Sequence, residues 1–160
     1  MRTDSKEKKI LHVSLMVEGK PCLVVGGGLI AARKVAHLLE AGAKVTVVSP
    51  DLCPEIALLK KSRRIRHKPR VFEQADIKRQ FLVFATTDQG PVNLRVIKAC
   101  RRSRVLCGAA DAHWDEGDFL TPAIIRRPTL TVAITTGGRS CSLSRSVKEK
   151  VSQFLVAEKL

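Results

Sequence analysis

The sequence contains no tyrosine and only one tryptophan, and aromatic residues make up 4% of it. Proteins that bind single-stranded nucleic acid rely on aromatic side chains on which the bases stack. This shortage of aromatic residues, together with the lack of any nucleic-acid-binding motif, leads us to expect no nucleic-acid partner. Among the functions considered for this sequence, binding of nucleic acid by a basic protein is the least favoured.

Long apolar runs and paired cysteines are missing as well. No apolar stretch approaches the roughly 20 residues that a membrane span needs, and the basic N-terminus leads into the alternating "ILHVSLMV" instead of a signal-peptide core. We therefore expect a cytoplasmic protein with no membrane partner. The five cysteines include no CxxC pair, which predicts reduced, mostly buried thiols and neither a disulfide framework nor a metal site.

Acidic residues are few: the sequence has 15 Asp and Glu against 29 Lys and Arg, which gives a net charge of +14. A field of this sign attracts polyanions, which are either nucleic acid or a small ligand rich in carboxylates. Seven of the eleven residues from Lys60 to Arg70 are basic. We interpret this run first as a solvated surface face and only second as a binding patch.

Alternating apolar segments predict an α/β fold. Five segments are predicted as strands: "HVSLMV", "PCLVVG", "AKVTVVS", "QFLVFATT" and "RVLCGAAD". Helices are predicted over "LIAARKVAHLLEAG", "PEIALLKK" and "GPVNLRVIKACRRS". Because parallel strands need crossover helices, this order predicts a Rossmann-type doubly wound parallel sheet.

The pattern changes after residue 113. "DFLTPAIIRRPTLTVAITT" contains two extended stretches with no helix between them, and "RSCSLSRSVKEKVSQFL" follows as a final helix. This predicts an antiparallel strand pair with a helix, too small to fold alone. We expect two parts, the doubly wound sheet over 1–112 and this short segment over 113–160.

The stretch "VVGGGLIAARK" joins the second predicted strand to the first predicted helix. Gly26, Gly28 and Ala31 fit the G-x-G-x-x-A pattern, in which the first glycine allows a tight turn and the second lets a pyrophosphate approach the backbone. The amides of the helix N-terminus would then face the phosphates. The alternative is a tight strand-to-helix turn without a ligand.

The next predicted strand ends without the acidic residue that usually binds the adenosine ribose. Ser49, Pro50 and Asp51 stand there instead and would border the adenosine. Since no arginine follows at once to bind a 2'-phosphate, NAD is favoured over NADP only slightly.

Two later strand ends carry polar residues. Thr86, Thr87 and Asp88 are predicted at the carboxyl edge of the sheet, beside the nicotinamide, although Asp88 would equally suit the N-cap region of the next helix. Asp111 follows the fifth predicted strand, and it or His113 would accept a proton. "TTGGRS" at 135–140 is a second small-residue turn before a helix, able to offer amides to a carboxylate or simply to cap that helix.

Four segments, "VVGGGLIAARKV", "ATTDQGPVN", "AADAHWDEGDFLTPAIIRR" and "LTVAITTGGRSCSLS", together resemble the precorrin-2 dehydrogenase family, the N-terminal module of siroheme synthases. The resemblance covers about residues 12–155. It implies oxidation of precorrin-2 to sirohydrochlorin with NAD as cofactor, a homodimer, and in some members the insertion of ferrous iron, which is then a second substrate. Precorrin-2 carries acetate and propionate groups, which suit a basic protein.

The resemblance also implies roles for the two parts of the chain: an NAD-binding domain over 1–112 and a short dimerisation and substrate-covering segment over 113–160. It implies roles for particular residues as well. The family's catalytic aspartate falls on Asp111. The implied cofactor contacts are Gly26, Gly28, Leu29, Ile30, Pro50 and Asp51, and the carboxylates of the substrate are expected at Thr136, Gly137, Gly138 and Arg139.

The sequence departs from the family pattern at three places. Gly108 stands where the family has asparagine, and Ser140-Cys141 stands where it has Ser-Pro. Relatives continue beyond the position of Leu160, so dehydrogenation is expected ahead of iron insertion. The alternative is a non-catalytic module that binds NAD or a tetrapyrrole.

Overall fold

The computed structural model describes residues 9–110 and 114–158. These residues form two compact units, one of Leu15–Phe119 and one made of the described residues 9–14 and 120–158. The division of the chain into an NAD-binding domain over 1–112 and a dimerisation segment over 113–160 stays a prediction. Among the described residues, no helix is long and apolar enough to cross a membrane.

The first unit is built on a five-stranded parallel sheet with the order β3-β2-β1-β4-β5. The strands are β1 (Pro21–Val25), β2 (Lys44–Val48), β3 (Arg66–Lys68), β4 (Leu82–Ala85) and β5 (Leu106–Ala109). The helices are α1 (Leu29–Glu40), α2 (Pro54–Lys61) and α3 (Gly90–Ser103), with short 3-10 turns at Gln74–Ile77 and Trp114–Glu116. The strand order reverses between β1 and β4, which is the position where such sheets bind ligands. The predicted doubly wound sheet is confirmed.

Both faces of this sheet are covered, which explains why β1 and β4 are continuous apolar runs. One core cluster packs α1 on the sheet through Ala31, Val35 and Leu38, whose spacing of three and four residues places them on one helix face. The other cluster packs α3 through Val96, Ile97, Ala99 and Cys100. The helices α1 and α3 therefore pack against the sheet in two separate core clusters.

The strand predicted over "HVSLMV" is wrong, because no strand is assigned to residues 9–17. The sheet reaches five strands through β3, which lies inside the basic run and was not predicted. β1 already pairs with β2 on one side and with β4 on the other, so no ladder position beside it remains for the preceding segment. In β3 the half-buried His67 lies between the exposed Arg66 and Lys68, and the charges of the run concealed this alternation.

The second unit contains two antiparallel strands and a helix, as predicted. β6 (Ala123–Arg126) pairs with β7 (Thr131–Ile134), and α4 (Cys141–Ala157) packs against both strands. The helix begins where the Ser140 hydroxyl accepts a hydrogen bond of 3.2 Å from the amide of Leu143, a standard N-cap.

Candidate cofactor site

The turn between β1 and α1 is packed tightly at its first glycine. Gly26 has φ of +125°, and a Cβ atom there would lie 2.7 Å from the carbonyl oxygen of Thr86. The Gly26 amide donates to the Val48 carbonyl at 3.0 Å, and the Thr86 amide and hydroxyl both donate to the Val25 carbonyl at 2.9 Å. The ends of β1, β2 and β4 are thereby held together.

The second glycine of the run, Gly27, was not among the residues predicted from the sequence. A Cβ atom there would overlap the carbonyl oxygen of Asp51 and come within 2.7 Å of the Ser49 hydroxyl. The Gly27 carbonyl accepts a hydrogen bond of 2.7 Å from the amide of Cys53. The loop after β2 therefore lies directly on this turn. The signal available in the sequence was the uninterrupted run of three glycines. The G-x-G motif accounts for the first and the third of them and leaves the middle position, Gly27, unspecified.

The third glycine, Gly28, is open. It is the N-cap of α1 with φ of −86° and no side-chain cap, and a Cβ atom there would meet no atom of residues 9–110 and 114–158 within 4 Å. Leu29 and Ile30 follow at 65% and 41% exposure. The protein's own packing thus leaves space at the N-terminus of α1, where backbone amides favour an anion. These residues fit the pyrophosphate of a dinucleotide.

The loop after β4 is fixed by a buried asparagine. Asn93, which is fully buried, accepts from the Thr87 amide at 3.1 Å and from the Thr87 hydroxyl at 2.8 Å. Its own amide donates to the Thr87 carbonyl at 2.9 Å. Asp88 is exposed at the tip, and the N-cap of α3 is Gln89, one residue further on. Hydrogen bonds therefore hold Thr86 and Thr87 in place. Asn93, which makes three of these bonds, was not predicted from the sequence.

The loop after β2 is fixed from the other side by β3. The Ser49 amide donates to the Lys68 carbonyl at 3.2 Å, and the Ser49 carbonyl lies 2.9 Å from Nε2 of His67. All ten predicted cofactor residues therefore lie at the carboxyl edge of β1, β2 and β4 or on the first turn of α1: Gly26, Gly28, Leu29, Ile30, Ser49, Pro50, Asp51, Thr86, Thr87 and Asp88.

An acidic residue anchors the basic run beside this edge. The Asp76 carboxylate is buried and accepts hydrogen bonds of 2.7 Å from Nζ of Lys68, 2.7 and 2.8 Å from the Arg70 guanidinium, and 3.0 Å from the Glu73 amide. Burial alone would raise the pKa of Asp76, but these hydrogen bonds outweigh it and lower the pKa to about 2. Part of the basic run is thus internal support for β3, a role that the charge pattern did not reveal.

The second predicted site, Thr136, Gly137, Gly138 and Arg139, lies in the second unit. Gly137 and Gly138 both have positive φ, 62° and 82°. The Thr136 hydroxyl accepts from the Ser140 amide at 2.9 Å and donates to the Ser140 carbonyl at 3.0 Å. Hydrogen bonds between Thr136 and Ser140 therefore fix the turn that leads into α4.

Asp111 and His113, the predicted proton acceptors, lie outside the described residues. Directly before them, the Ala110 amide donates to the Ala85 carbonyl at 3.2 Å. Gly108 packs against Phe119, whose ring would lie 2.8 Å from a Cβ atom at that position. Phe119 therefore fills the space that a side chain at 108 would need.

The cysteines behave as small apolar residues. All five are free: Cys22, Cys100 and Cys107 are buried, Cys53 is half-buried and Cys141 is exposed. Burial raises the pKa of Cys22 to about 11, and a hydrogen bond to Cys100 together with burial raises the pKa of Cys107. The described residues contain no group of three or more His, Cys, Asp or Glu side chains able to hold a metal ion.

Comparison with known proteins agrees with this geometry. Residues 13–123 match the family model described as "Putative NAD(P)-binding". Over 145 residues the chain is 42% identical to the siroheme synthase of Thioalkalivibrio sulfidiphilus, which covers 91% of this chain and 29% of that protein. Over 145 residues it is 32% identical to the precorrin-2 dehydrogenase of Bacillus subtilis, which covers 91% of this chain and 87% of that protein.

Among solved structures, "SirC, precorrin-2 dehydrogenase" matches with a TM-score of 0.75 and 30% identity, over 90% of this chain and 70% of that chain. The sheet edge, the open turn and the family match together define an NAD(P)-binding α/β protein. With the Bacillus relative matched over most of its length, the chain belongs to the precorrin-2 dehydrogenase family. It spans under a third of the length of the siroheme synthases it matches, 29% in the case of Thioalkalivibrio.

Proposed function

We propose that this protein oxidises precorrin-2 to sirohydrochlorin with NAD as hydride acceptor. The observation that carries the cofactor half is the contrast within the glycine turn, where Gly26 and Gly27 are packed against neighbouring loops and Gly28 is open. The substrate is inferred from the Bacillus relative, a precorrin-2 dehydrogenase of which the chain covers 87%.

Each part of the sheet edge receives a role in this proposal. Bound NAD accepts a hydride at its nicotinamide ring. The amides at Gly28, Leu29 and Ile30 would bind the pyrophosphate, and the loop of Ser49, Pro50 and Asp51 would border the adenosine. Thr87 and Asp88, on the loop that Asn93 holds in place, would border the nicotinamide half. NAD is preferred to NADP as a proposal, because Lys68 and Arg70 near this loop are already bound to Asp76.

Removing two hydrogens from the ring requires one hydride and one proton to leave. We assign the proton to Asp111. If so, Asp111→Asn keeps the shape of the side chain and removes the base, so turnover should fall by about 100-fold to 10,000-fold with NAD affinity nearly intact. Steady-state kinetics and NAD calorimetry on the same preparation measure both quantities. Wild-type turnover with asparagine at 111 would assign the proton to His113, water or the substrate's own carboxylates.

The carboxylates of precorrin-2 are assigned to the Thr136–Arg139 turn, with Arg126 or Arg127 as further contacts. These groups offer amides and guanidinium hydrogens, the donors that bind carboxylates most strongly. We further propose that the protein is a homodimer formed through the 113–160 segment and that ferrous iron is a second substrate. The predicted cytoplasmic location and lack of a nucleic-acid partner stay predictions.

The direct experiment is anaerobic incubation of the protein with precorrin-2 and NAD. One NADH should appear for each sirohydrochlorin formed, and neither should appear when NAD is left out. NAD binding without turnover would identify a non-catalytic module instead. Addition of ferrous iron to the completed reaction then tests iron insertion separately.

A further inference from the structure

His67 makes one directed contact across the edge of the sheet. It lies in the middle of β3, and its Nε2 atom is 2.9 Å from the carbonyl oxygen of Ser49, the first residue after β2. Because a carbonyl oxygen only accepts, Nε2 donates the hydrogen. The other ring nitrogen, Nδ1, is buried and has no hydrogen-bond partner among the described residues. The imidazole ring therefore makes one hydrogen bond among the described residues, and that bond is to the Ser49 backbone.

The strand that carries His67 is itself held firmly. The Ser49 amide donates to the Lys68 carbonyl, so β3 binds both polar groups of the Ser49 backbone. Lys68 is in turn fixed by the Asp76 carboxylate at 2.7 Å. The position of Ser49 is thus set by an anchored edge strand.

On its other side, the same loop touches the glycine turn. The Asp51 carbonyl and the Ser49 hydroxyl occupy the space beside Gly27, and the Cys53 amide donates to the Gly27 carbonyl. His67 and Gly27 therefore hold the loop from opposite sides. A displacement of Ser49 would move the adenosine side of the proposed cofactor site and leave the strand ends themselves in place.

We propose that His67 is a positioning residue for the adenosine half of the cofactor. The inference rests on the proposed NAD site. No acidic residue ends β2 to bind the ribose, since Val48 is followed by Ser49 and Pro50. Ribose recognition then depends on where the loop places the Ser49 hydroxyl and the Asp51 carboxylate, and small errors in placement are costly for oriented binding.

A pair of substitutions of equal size isolates the hydrogen bond. His67→Gln keeps an N–H donor, whereas His67→Met has nearly the same length and no donor. If NAD binding must restore the loop position that this hydrogen bond otherwise fixes, loss of the bond weakens binding by up to about 3-fold to 10-fold. We expect His67→Met to weaken NAD by this factor and His67→Gln to remain within about twofold of wild type.

ADP-ribose, which keeps the adenosine and the pyrophosphate of NAD and lacks the nicotinamide ring, is the diagnostic probe. Calorimetry on the full chain should show the same loss for ADP-ribose as for NAD in His67→Met, and kcat for precorrin-2 at saturating NAD should stay near wild type. Ile65→Val is the control, because it removes a buried methyl group next to β3 and leaves the imidazole of His67 in place. It should lower the thermal midpoint and leave both affinities unchanged.

Three results would overturn the proposal: unchanged affinity in His67→Met, equal weakening in the methionine and glutamine variants, or equal weakening in Ile65→Val. If His67→Met fails to fold, His67→Ala supplies the donorless variant for the same comparison. A wild-type protein that binds no NAD would instead refute the proposed function, and this inference with it, before any variant is compared.

Discussion

Two glycine-rich turns, Gly26–Gly28 in the first unit and Gly137–Gly138 in the second, have similar compositions and different physical reasons for glycine. Around the first turn, Gly27 is required because neighbouring backbone occupies the place of a side chain. In the second turn, both glycines have positive φ, and a Cβ atom at Gly137 would meet only Ile10 at the ordinary contact distance of 3.4 Å. In the first turn, Gly27 therefore serves close approach alone, and Gly26 combines close approach with a positive φ of 125°. The second turn uses glycine for a left-handed path.

Gly28 follows neither reason, because its φ is ordinary and its surroundings are open. Glycine at this position agrees with the proposed approach of a pyrophosphate to the backbone. Substitutions at the two turns should consequently separate effects on stability from effects on binding.

The largest stability effect is expected at Gly27. Gly27→Ala places a methyl group on the Asp51 carbonyl, so the loop after β2 must move away, and we expect a loss of about 3 kcal/mol in the free energy of unfolding. Gly28→Ala is the matched control and should cost about 0.5 kcal/mol, the small penalty of alanine at an N-cap. Urea denaturation of both variants measures the difference. Equal losses would mean that the loop does not lie on the turn.

A substitution of Asp76 tests whether β3 supports the loop after β2, because Asp76 holds Lys68 of β3 in place. Because its pKa is lowered from 3.8 to about 2 in the folded protein, the charged carboxylate stabilises the fold above pH 4, and this stabilisation is lost as the pH falls toward 2. Asp76→Asn should therefore cost about 2 kcal/mol near neutral pH. The deficit should shrink on acidification, measured as unfolding midpoints at several pH values. A deficit independent of pH down to 2 would assign it to packing.

A smaller effect is expected at the second turn. Gly137→Ala keeps the packing and forces an alanine into the left-handed region, which costs about 1 kcal/mol. Thermal unfolding should record this loss, and NAD affinity should be unaffected. A loss as large as that of Gly27→Ala would contradict the contrast between the two turns.

The smallest effect concerns salt. If guanidinium and amide groups near Gly137 bind the substrate's carboxylates, the KM for precorrin-2 should rise a few-fold between low salt and about 0.5 M salt, since charge-assisted contacts are screened. NAD affinity should change less. Initial rates at several salt concentrations measure this, and a flat response would remove the electrostatic role from the second turn.

The sequence was sufficient to predict four of the five strands of the parallel sheet and to place the predicted cofactor residues at its carboxyl edge. It did not predict β3 or the contacts that support this edge. Apolar runs and the G-x-G-x-x-A pattern are local signals, so β1, α1 and β2 followed from them directly. β3 was concealed because its exposed positions are arginine and lysine, and "HVSLMV" alternates without finding a place in the ladder. Gly27 and His67 act through partners at least 18 residues away in the sequence. Asp76 and Asn93 bind partners three to eight residues away across irregular turns, which have no periodic sequence pattern.

The most direct test is an NAD titration of Gly28→Val beside the wild-type protein. Valine suits the extended backbone at this position, and its Cβ atom meets no atom of the described residues within 4 Å. The unfolding midpoint should therefore fall only slightly, by the small N-cap penalty expected for Gly28→Ala. If the open space receives the pyrophosphate, the side chain collides with it, and calorimetry should show NAD binding weakened by more than about tenfold, or 1.4 kcal/mol. A folded Gly28→Val protein with wild-type NAD affinity would contradict the placement of the cofactor at this turn.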